Sequence, residues 1–166
     1  EVRHTAAHAG LLDMSAFAKC RISGPGAEAF LDNLTANKLP KGIGRVSLSH
    51  ALTERGGVHS EYTIQRESAD SFYIVSAGAG QRLDHDWIKK HMPDDGSVRF
   101  DNLTNSIGVL VLAGPRSRDI LQKLTRTDLS NKAFPWLSSR LIDVNMAPAM
   151  AFRMNYVGEL GWELHH

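Results

Sequence analysis

The sequence is poor in cysteine, in long apolar runs and in net charge. Cys20 is the single cysteine, so an internal disulfide is excluded, which fits a reducing compartment. No apolar run approaches the roughly 20 residues of a membrane span, and the opening EVRHTAAHAG lacks the basic-then-apolar order of a signal peptide. The 19 Lys and Arg residues are interspersed with 18 Asp and Glu residues, so no basic face for nucleic acid is predicted. We expect a soluble protein that binds neither membranes nor nucleic acid.

The eight histidines do not form a convincing metal site. His4 and His8 lie one helical turn apart but have no acidic ligand beside them, and the spacing of His85 and His91 does not put them on one helix face. Surface histidines are the simpler interpretation, and no metal is predicted. Cys20 lies in the alternating segment KCRIS, which favours a buried or inert thiol over a nucleophile.

The segment GAGQRL after the apolar run FYIVSA partly resembles a dinucleotide-binding loop. Leu83 stands where the third glycine of that motif is required, and the surrounding strand–helix–strand context is missing. We interpret the segment as an ordinary turn between a strand and a helix.

One internal repeat organises the chain. ISGPGAEAFLDNLT at 22–35 and LAGPRSRDILQKLT at 112–125 align without a gap, and each predicts a strand, a sharp turn and a helix. Glycine permits unusual backbone angles at the turn, and proline presets a helical φ at the helix start. The first helix has an apolar stripe at Ala27, Phe30, Leu31 and Leu34, and the second has one at Ile120, Leu121 and Leu124.

Segments rich in β-forming residues lie between and after the two copies. They are RVSLSHALT, GVHSEYTIQ and SFYIVSAG, then a helix at 82–91 and a strand at 98–100, and finally LIDVNMAP, AMAFRMNYV and LGWELHH. The order predicts an α+β protein of two related, ferredoxin-like units with antiparallel or mixed sheets. We place the first unit at 1–105 and the start of a second, truncated unit at 106–166. The chain ends within a predicted strand, and His165 and His166 are either native residues or the remnant of a tag.

Glu61 is the first candidate for chemistry. Gly56 and Gly57 predict a hairpin-like turn, and the following strand alternates so that Glu61 shares a face with His59 and Thr63. A charged residue in such a strand commonly faces solvent. The alternative is a carboxylate held on a rigid strand, able to orient or deprotonate an amine nucleophile.

Tyr156 and Glu163 are the second candidate. The segment NYVGELGWELHH predicts a strand end at Tyr156, a turn at 157–161 and a new strand that contains Glu163. An aromatic ring stacks on a flat heterocycle, and a carboxylate accepts paired hydrogen bonds from an amino-pyrimidine edge. A rim tyrosine and an exposed glutamate remain the alternative interpretation.

Five ordered segments carry a family resemblance: GLLDMS, ISGPGAEAFLDNLT, GGVHSEYTI, VLAGP and YVGELGWEL. Their order and spacing resemble the glycine-cleavage T-protein (aminomethyltransferase) family. GELGWEL is more similar to the folate-binding region of dimethylglycine and sarcosine dehydrogenases than to the T-protein form GYTGEDGFE. The resemblance implies a clover-leaf arrangement of domains around tetrahydrofolate.

The resemblance also implies roles for individual residues. Glu61 matches the family's catalytic acid, which is aspartate in many members, and Tyr156 and Glu163 match its pterin-contacting pair. A second family tyrosine is replaced by Leu48, which removes a hydrogen-bonding or stacking group.

The reaction implied is capture of a one-carbon unit, from an iminium or formaldehyde donor, to form 5,10-methylenetetrahydrofolate. FAD is expected only in a separate domain of the same full-length protein. The resemblance implies a mitochondrial matrix location in a eukaryote and a cytoplasmic one in a bacterium. Alternatives are a glycine-cleavage aminomethyltransferase proper, a non-catalytic folate-binding module, and a structural interaction domain.

Overall fold

The computed structural model describes residues 1–156 and 159–166, and it divides into two compact units. The central unit is Ala16–Ser106, and the split unit combines Glu1–Ser15 with Ile107–His166. The helices are α1 (Val2–Ala7), α2 (Ala27–Leu34), α3 (Gln81–His91) and α4 (Ser117–Gln122), and a one-turn 3-10 helix spans Gly78–Gly80. The strands are β1 (Gly10–Asp13), β2 (Ala18–Ser23), β3 (Val46–Leu52), β4 (Val58–Arg66), β5 (Ser71–Ser76), β6 (Arg99–Asn102), β7 (Val109–Ala113), β8 (Ser139–Val144), β9 (Ala147–Phe152) and β10 (Gly161–His165).

The central unit is a five-stranded antiparallel sheet with two helices packed against it. The strand order is β3-β4-β5-β2-β6. Ala27, Phe30 and Leu31 of α2 and Ile88 of α3 lie in one apolar core with alternate residues of the sheet. Because side chains alternate along a strand, β4 contributes Tyr62 and Ile64 to this core and leaves Glu61 on the other side.

The split unit has a sheet of the same size, in the order β8-β9-β10-β7-β1. Its core includes Leu121 of α4, Phe134 and the fully buried Trp162 of β10. The ring of Trp162 meets Phe134 edge-on, with centroids 5.1 Å apart. The strand β10 is hydrogen-bonded to β7 on one side and to β9 on the other. It is therefore held at the centre of its sheet.

The internal repeat is confirmed as a structural repeat. In each copy a strand, a turn and a helix precede three further strands, and the two sheets have corresponding orders. Gly24 and Gly114 have φ values of +117° and +114°, angles that L side chains rarely adopt. β1, from the start of the chain, is the edge strand beside β7. It occupies the position that β6 occupies beside β2 in the central unit.

The predicted α+β class is confirmed. All strand pairs described are antiparallel, so the mixed alternative does not apply. The compact units differ from the predicted division into 1–105 and 106–166, because pairing of β1 with β7 places residues 1–15 with the later segment.

Two local predictions need correction. LIDVNMAP is not one strand: β8 ends at Val144 and β9 begins at Ala147, and Asn145 has a φ of +58° in the turn between them. In the second repeat helix only Leu121 of the predicted stripe is buried, since α4 ends at Gln122 and Ile120 and Leu124 are exposed.

In the described residues, no helix is both long and apolar enough to cross a bilayer.

Candidate functional site

Glu61 lies near the middle of β4 on the exposed face of the strand, as the alternation predicted. Its side chain is 57% exposed. Glu61 pairs across the antiparallel register with His50 of β3, and Nε2 of His50 lies 3.3 Å from Oε2 of Glu61. The strand therefore presents an accessible carboxylate beside an imidazole that can exchange a proton with it or hold its orientation.

A chain of polar groups links the opposite, buried face of β4 to α3, and it includes the ring of His59, which the alternation wrongly placed on the face of Glu61. The hydroxyl of Ser60 donates to Oδ1 of Asp84 on α3, and Nδ1 of His59 lies 2.8 Å from the same hydroxyl. The ring of His59 also stacks on Trp87, with centroids 3.9 Å apart. Ser60 and Asp84 are both buried, so this hydrogen bond fastens β4 to α3. The strand that carries Glu61 is thereby held from its inner side.

Glu163 lies on β10 and is buried, with 7% of its surface exposed. Its carboxylate oxygen Oε2 is 3.2 Å from Nε2 of His165 on the same strand. The two residues are two positions apart, so they share one face of the sheet, while Trp162 and Leu164 point into the core on the other face. A buried carboxylate with an adjacent imidazole is thus built into the centre of the sheet.

The surroundings of this pair are apolar. In the antiparallel register Glu163 lies between Val111 and Phe152. The ring of His165 packs on Phe152, with centroids 4.4 Å apart and a tilt of 44°. Phe152 is fully buried. In such low-dielectric surroundings a hydrogen bond to a carboxylate is strong, and a missing one is costly.

Tyr156 lies in the turn before β10 and is 89% exposed. The predicted turn at 157–161 includes Val157 and Gly158, which lie outside the described residues. The structure does not bring Tyr156 into contact with Glu163 in the part of the chain that it describes. Glu61 belongs to the central unit and the other two residues to the split unit. That all three face one concavity remains a prediction.

Leu48, which replaces a family tyrosine, lies on β3 and is 42% exposed. Its cross-strand partner is Thr63 of β4, two positions from Glu61. Leu48, His50 and Glu61 therefore lie on the same part of the sheet. The leucine supplies apolar surface there and no hydrogen-bonding group.

The structure also describes the segments that the sequence did not favour as functional sites. Cys20 is buried, and burial raises the pKa of its thiol to about 12, with the negative charge of Asp84 acting in the same direction. His4 and His8 are exposed. Gly78–Gly80 form the short 3-10 helix that joins β5 to α3. Within residues 1–156 and 159–166, no group of three metal-ligating side chains occurs.

A shallow concavity of about 440 Å³ lies along α3, and its lining includes Arg82, His85 and Lys89. Burial lowers the pKa of His85, and the charge of Lys89 adds to this effect. None of the three predicted site residues lines this concavity.

The sequence did not predict three residues that lie close to Glu61, Ser60 or Glu163. They are His50, Asp84 and His165. A spacing of two along LGWELHH could have placed His165 on the face of Glu163. His50 and Asp84 depend on strand register and on helix packing between distant segments, for which the sequence carries no local signal.

Comparison with known proteins identifies the family. The GCVT N-terminal domain model matches residues 1–166. Dimethylglycine dehydrogenase, mitochondrial, from Mus musculus is 38% identical over 100% of this chain, and sarcosine dehydrogenase, mitochondrial, from Homo sapiens is 31% identical over 95%. The chain spans 19% of the length of each of these two curated relatives.

A solved structure shares the fold. The glycine cleavage system aminomethyltransferase T from Bartonella henselae matches 98% of this chain and 43% of its own, with a TM-score of 0.82 and 24% identity. The resemblance read from the five sequence segments is confirmed by the family match, which extends over every one of them. The chain belongs to the GCVT N-terminal domain family.

Proposed function

We propose that this chain is the tetrahydrofolate-binding, one-carbon-transfer region of a protein similar to dimethylglycine and sarcosine dehydrogenases. Glu163 is the observation that carries this proposal. Its carboxylate is buried in apolar surroundings at the centre of a sheet, beside an imidazole that can donate to it. Burial of a carboxylate is costly, and a strand that merely closes a sheet does not need one.

The side chains present fit a reduced folate. The amino-pyrimidine edge of a pterin offers neighbouring N–H donors, which a carboxylate such as that of Glu163 accepts as a pair. Tyr156 offers an exposed aromatic ring of the kind that stacks on a flat heterocycle. When bound, tetrahydrofolate supplies the nucleophilic nitrogen that receives the one-carbon unit.

Glu61 is the proposed catalytic carboxylate. Its exposed side chain can accept a proton at Oε1 or Oε2, and β4 holds it because Ser60 is bonded to Asp84 beneath it. His50 supplies a neighbouring group at 3.3 Å that orients the carboxylate or relays the proton. Glutamate is one methylene longer than the aspartate of many family members, so its carboxylate reaches further from the strand.

The rest of the proposed protein lies outside this chain. The dehydrogenase relatives are much longer, so we place FAD in a separate domain and expect an iminium or formaldehyde donor to arrive from it. Both dehydrogenases are named as mitochondrial. We propose the mitochondrial matrix for a eukaryotic source and the cytoplasm for a bacterial one.

A non-catalytic folate-binding module is the second candidate. Two departures from the family favour it: Leu48 in place of tyrosine and Glu61 in place of aspartate. Both lie on the sheet face of the central unit where transfer chemistry is proposed, whereas the buried Glu163 pair belongs to the split unit. This module would bind folate without accelerating transfer.

Glu61→Gln in the full-length gene product separates the two functions. We expect one-carbon transfer to fall by about 100-fold or more, the usual range for loss of a general base, and the folate affinity measured by titration calorimetry to stay unchanged. Glu61→Asp should retain much of the activity. Glu54→Gln, at an exposed glutamate in the turn before β4, is the matched control.

An unchanged transfer rate in Glu61→Gln would exclude Glu61 as the catalytic carboxylate. Folate binding without measurable transfer in the unaltered protein would identify the non-catalytic module. Absence of folate binding by the unaltered protein would reject both candidates and leave a structural domain.

A further inference from the structure

His165 is among the most deeply buried titratable side chains described in the split unit. Its side chain is 2% exposed and that of Glu163 is 9% exposed. Glutamate is almost never fully buried unless it is paired. Nε2 of His165 lies 3.2 Å from Oε2 of Glu163, so each is within reach of the other.

The orientation of the imidazole is fixed by packing. The ring lies against Phe152, with centroids 4.4 Å apart. In the register His165 is opposite Met150, and Phe152 is opposite Glu163, so the ring leans along the strand towards the carboxylate. β10 is bonded on both sides. Both the backbone and the ring of His165 are therefore held in place.

This geometry determines which oxygen of Glu163 meets a ligand. An ionised carboxylate only accepts hydrogen bonds, so in that form Nε2 of His165 is the donor of the bond to Oε2. That bond engages Oε2, and Oε1 keeps its lone pairs for a further donor.

We propose that His165 is a positioning residue that orients the Glu163 carboxylate towards the paired N–H donors of an amino-pyrimidine. The proposal rests on the proposed folate function and deepens it, since it names the residue that prepares the acceptor. His165 need not touch the ligand. It acts through the carboxylate.

The exposed pair in the central unit makes a useful contrast. His50 and Glu61 lie at nearly the same separation, 3.3 Å, but their side chains are 43% and 57% exposed. Water screens such surface pairs, and their contribution to binding or stability is small. The same two residue types orient each other much more strongly in the buried pair.

The test compares two replacements of His165 in the full-length gene product. His165→Gln keeps a side-chain N–H near the position of Nε2, whereas His165→Leu fills the space without a donor. Glu163→Ala removes the acceptor itself. His85→Leu is the matched control, because His85 is also buried and also packs on an aromatic ring, that of Phe100. Circular dichroism and thermal unfolding establish that each variant is folded.

Calorimetric titrations use tetrahydrofolate and its 2-desamino analogue, which lacks the exocyclic amino donor. We expect His165→Leu to weaken tetrahydrofolate binding by about tenfold, the effect of one charge-assisted hydrogen bond. The effect on the analogue should be much smaller. His165→Gln should stay within a few-fold of the unaltered protein. Glu163→Ala and the double variant Glu163→Ala with His165→Leu should bind tetrahydrofolate equally weakly, because both residues act through one carboxylate.

The outcomes separate this inference from the function on which it rests. If Glu163→Ala weakens binding and folded His165→Leu does not, or if the two effects add, His165 has no positioning role. Equal losses with both ligands, or failure of His165→Gln to restore binding, would also overturn the inference. If Glu163→Ala binds tetrahydrofolate as tightly as the unaltered protein, the assignment of Glu163 to the folate site fails.

Discussion

Two glutamates of this chain show how position in a sheet decides what a carboxylate can do. Glu61 lies on an exposed strand face and is free to meet a reactant, whereas Glu163 is buried between β7 and β9. An exposed carboxylate suits proton transfer, and a buried one with a fixed partner suits recognition. The division of roles implied by the family resemblance therefore has a physical counterpart in burial.

Cys20 provides a residue-level prediction that is independent of folate. Burial raises the pKa of its thiol to about 12, so almost no reactive thiolate exists at pH 8 in the folded protein. We expect negligible labelling of Cys20 by iodoacetamide at pH 8 and rapid labelling in guanidinium chloride, where the pKa returns to about 8.5. Peptide mass spectrometry measures both rates.

Labelling of the folded protein as fast as that of the unfolded protein would contradict the buried, protonated thiol.

The raised pKa of Cys20 also predicts how the free energy of unfolding depends on pH. A thiol whose pKa is raised by folding favours the folded state while it is protonated, so the free energy of unfolding should decline as pH rises above about 8.5.

Residue-level prediction from the sequence succeeded where the cause is local. Alternation along β4 placed Glu61 opposite the core residues Tyr62 and Ile64. The burial of Glu163 was left open by the sequence, because alternation does not reveal that β10 is a central strand. Strand order depends on pairing between distant segments, and no local pattern encodes it.

At the scale of elements, the two glycine-proline turns are the strongest local signals in the chain. Gly24 and Gly114 both adopt positive φ, and each lies against the backbone of another segment. A Cβ on Gly24 would lie 2.4 Å from the carbonyl oxygen of Ser97. These glycines are needed for the backbone angle and also for the close approach.

Gly24→Ala should therefore be more destabilising than alanine at another glycine of positive φ. Gly56 is the matched control, because its φ is +77° and nothing lies within 4 Å of a built Cβ. We expect Gly56→Ala to lower the free energy of unfolding by about 1 kcal/mol and Gly24→Ala by about 3 kcal/mol or more. Urea unfolding measures both. Equal losses would show that the contact with Ser97 does not matter.

Element boundaries were predicted less well where the turn signal was weak. Asn145 adopts positive φ in the turn between β8 and β9, inside a segment that reads as one continuous strand. Asparagine tolerates this conformation better than most residues, but one asparagine without a following glycine is a weak hairpin signal. The helix α4 ends at Gln122, with Lys123 as its C-cap, one turn before the predicted end, and neither glycine nor asparagine marks that end in the sequence.

At the scale of the whole molecule, the sequence predicted the internal repeat but did not predict which strand occupies the edge of the second sheet. Matching motifs at 22–35 and 112–125 predicted two related units, and the corresponding sheet orders agree with this. In the central unit, β6 pairs with β2 at the edge of the sheet. In the split unit, the equivalent position beside β7 is occupied by β1, which precedes both copies in the chain. β1 is short and exposed, so its sequence contains little apolar pattern from which to predict its partner.

This arrangement predicts that the two units depend differently on the first fifteen residues. All five strands of the central unit and its whole apolar core come from Ala16–Ser106. A chain of residues 16–106 should therefore unfold cooperatively in urea and show protected backbone amides.

Residues 107–166 alone should remain largely unfolded, because they lose the pairing of β1 with β7 and the backbone hydrogen bonds from Met14 to Val109 and from Arg116 to His8. A peptide of residues 1–15, added in trans, should restore part of the amide protection in β7. Stable folding of 107–166 without that peptide would show that β1 is dispensable, and an unfolded 16–106 chain would show that the central unit is not autonomous.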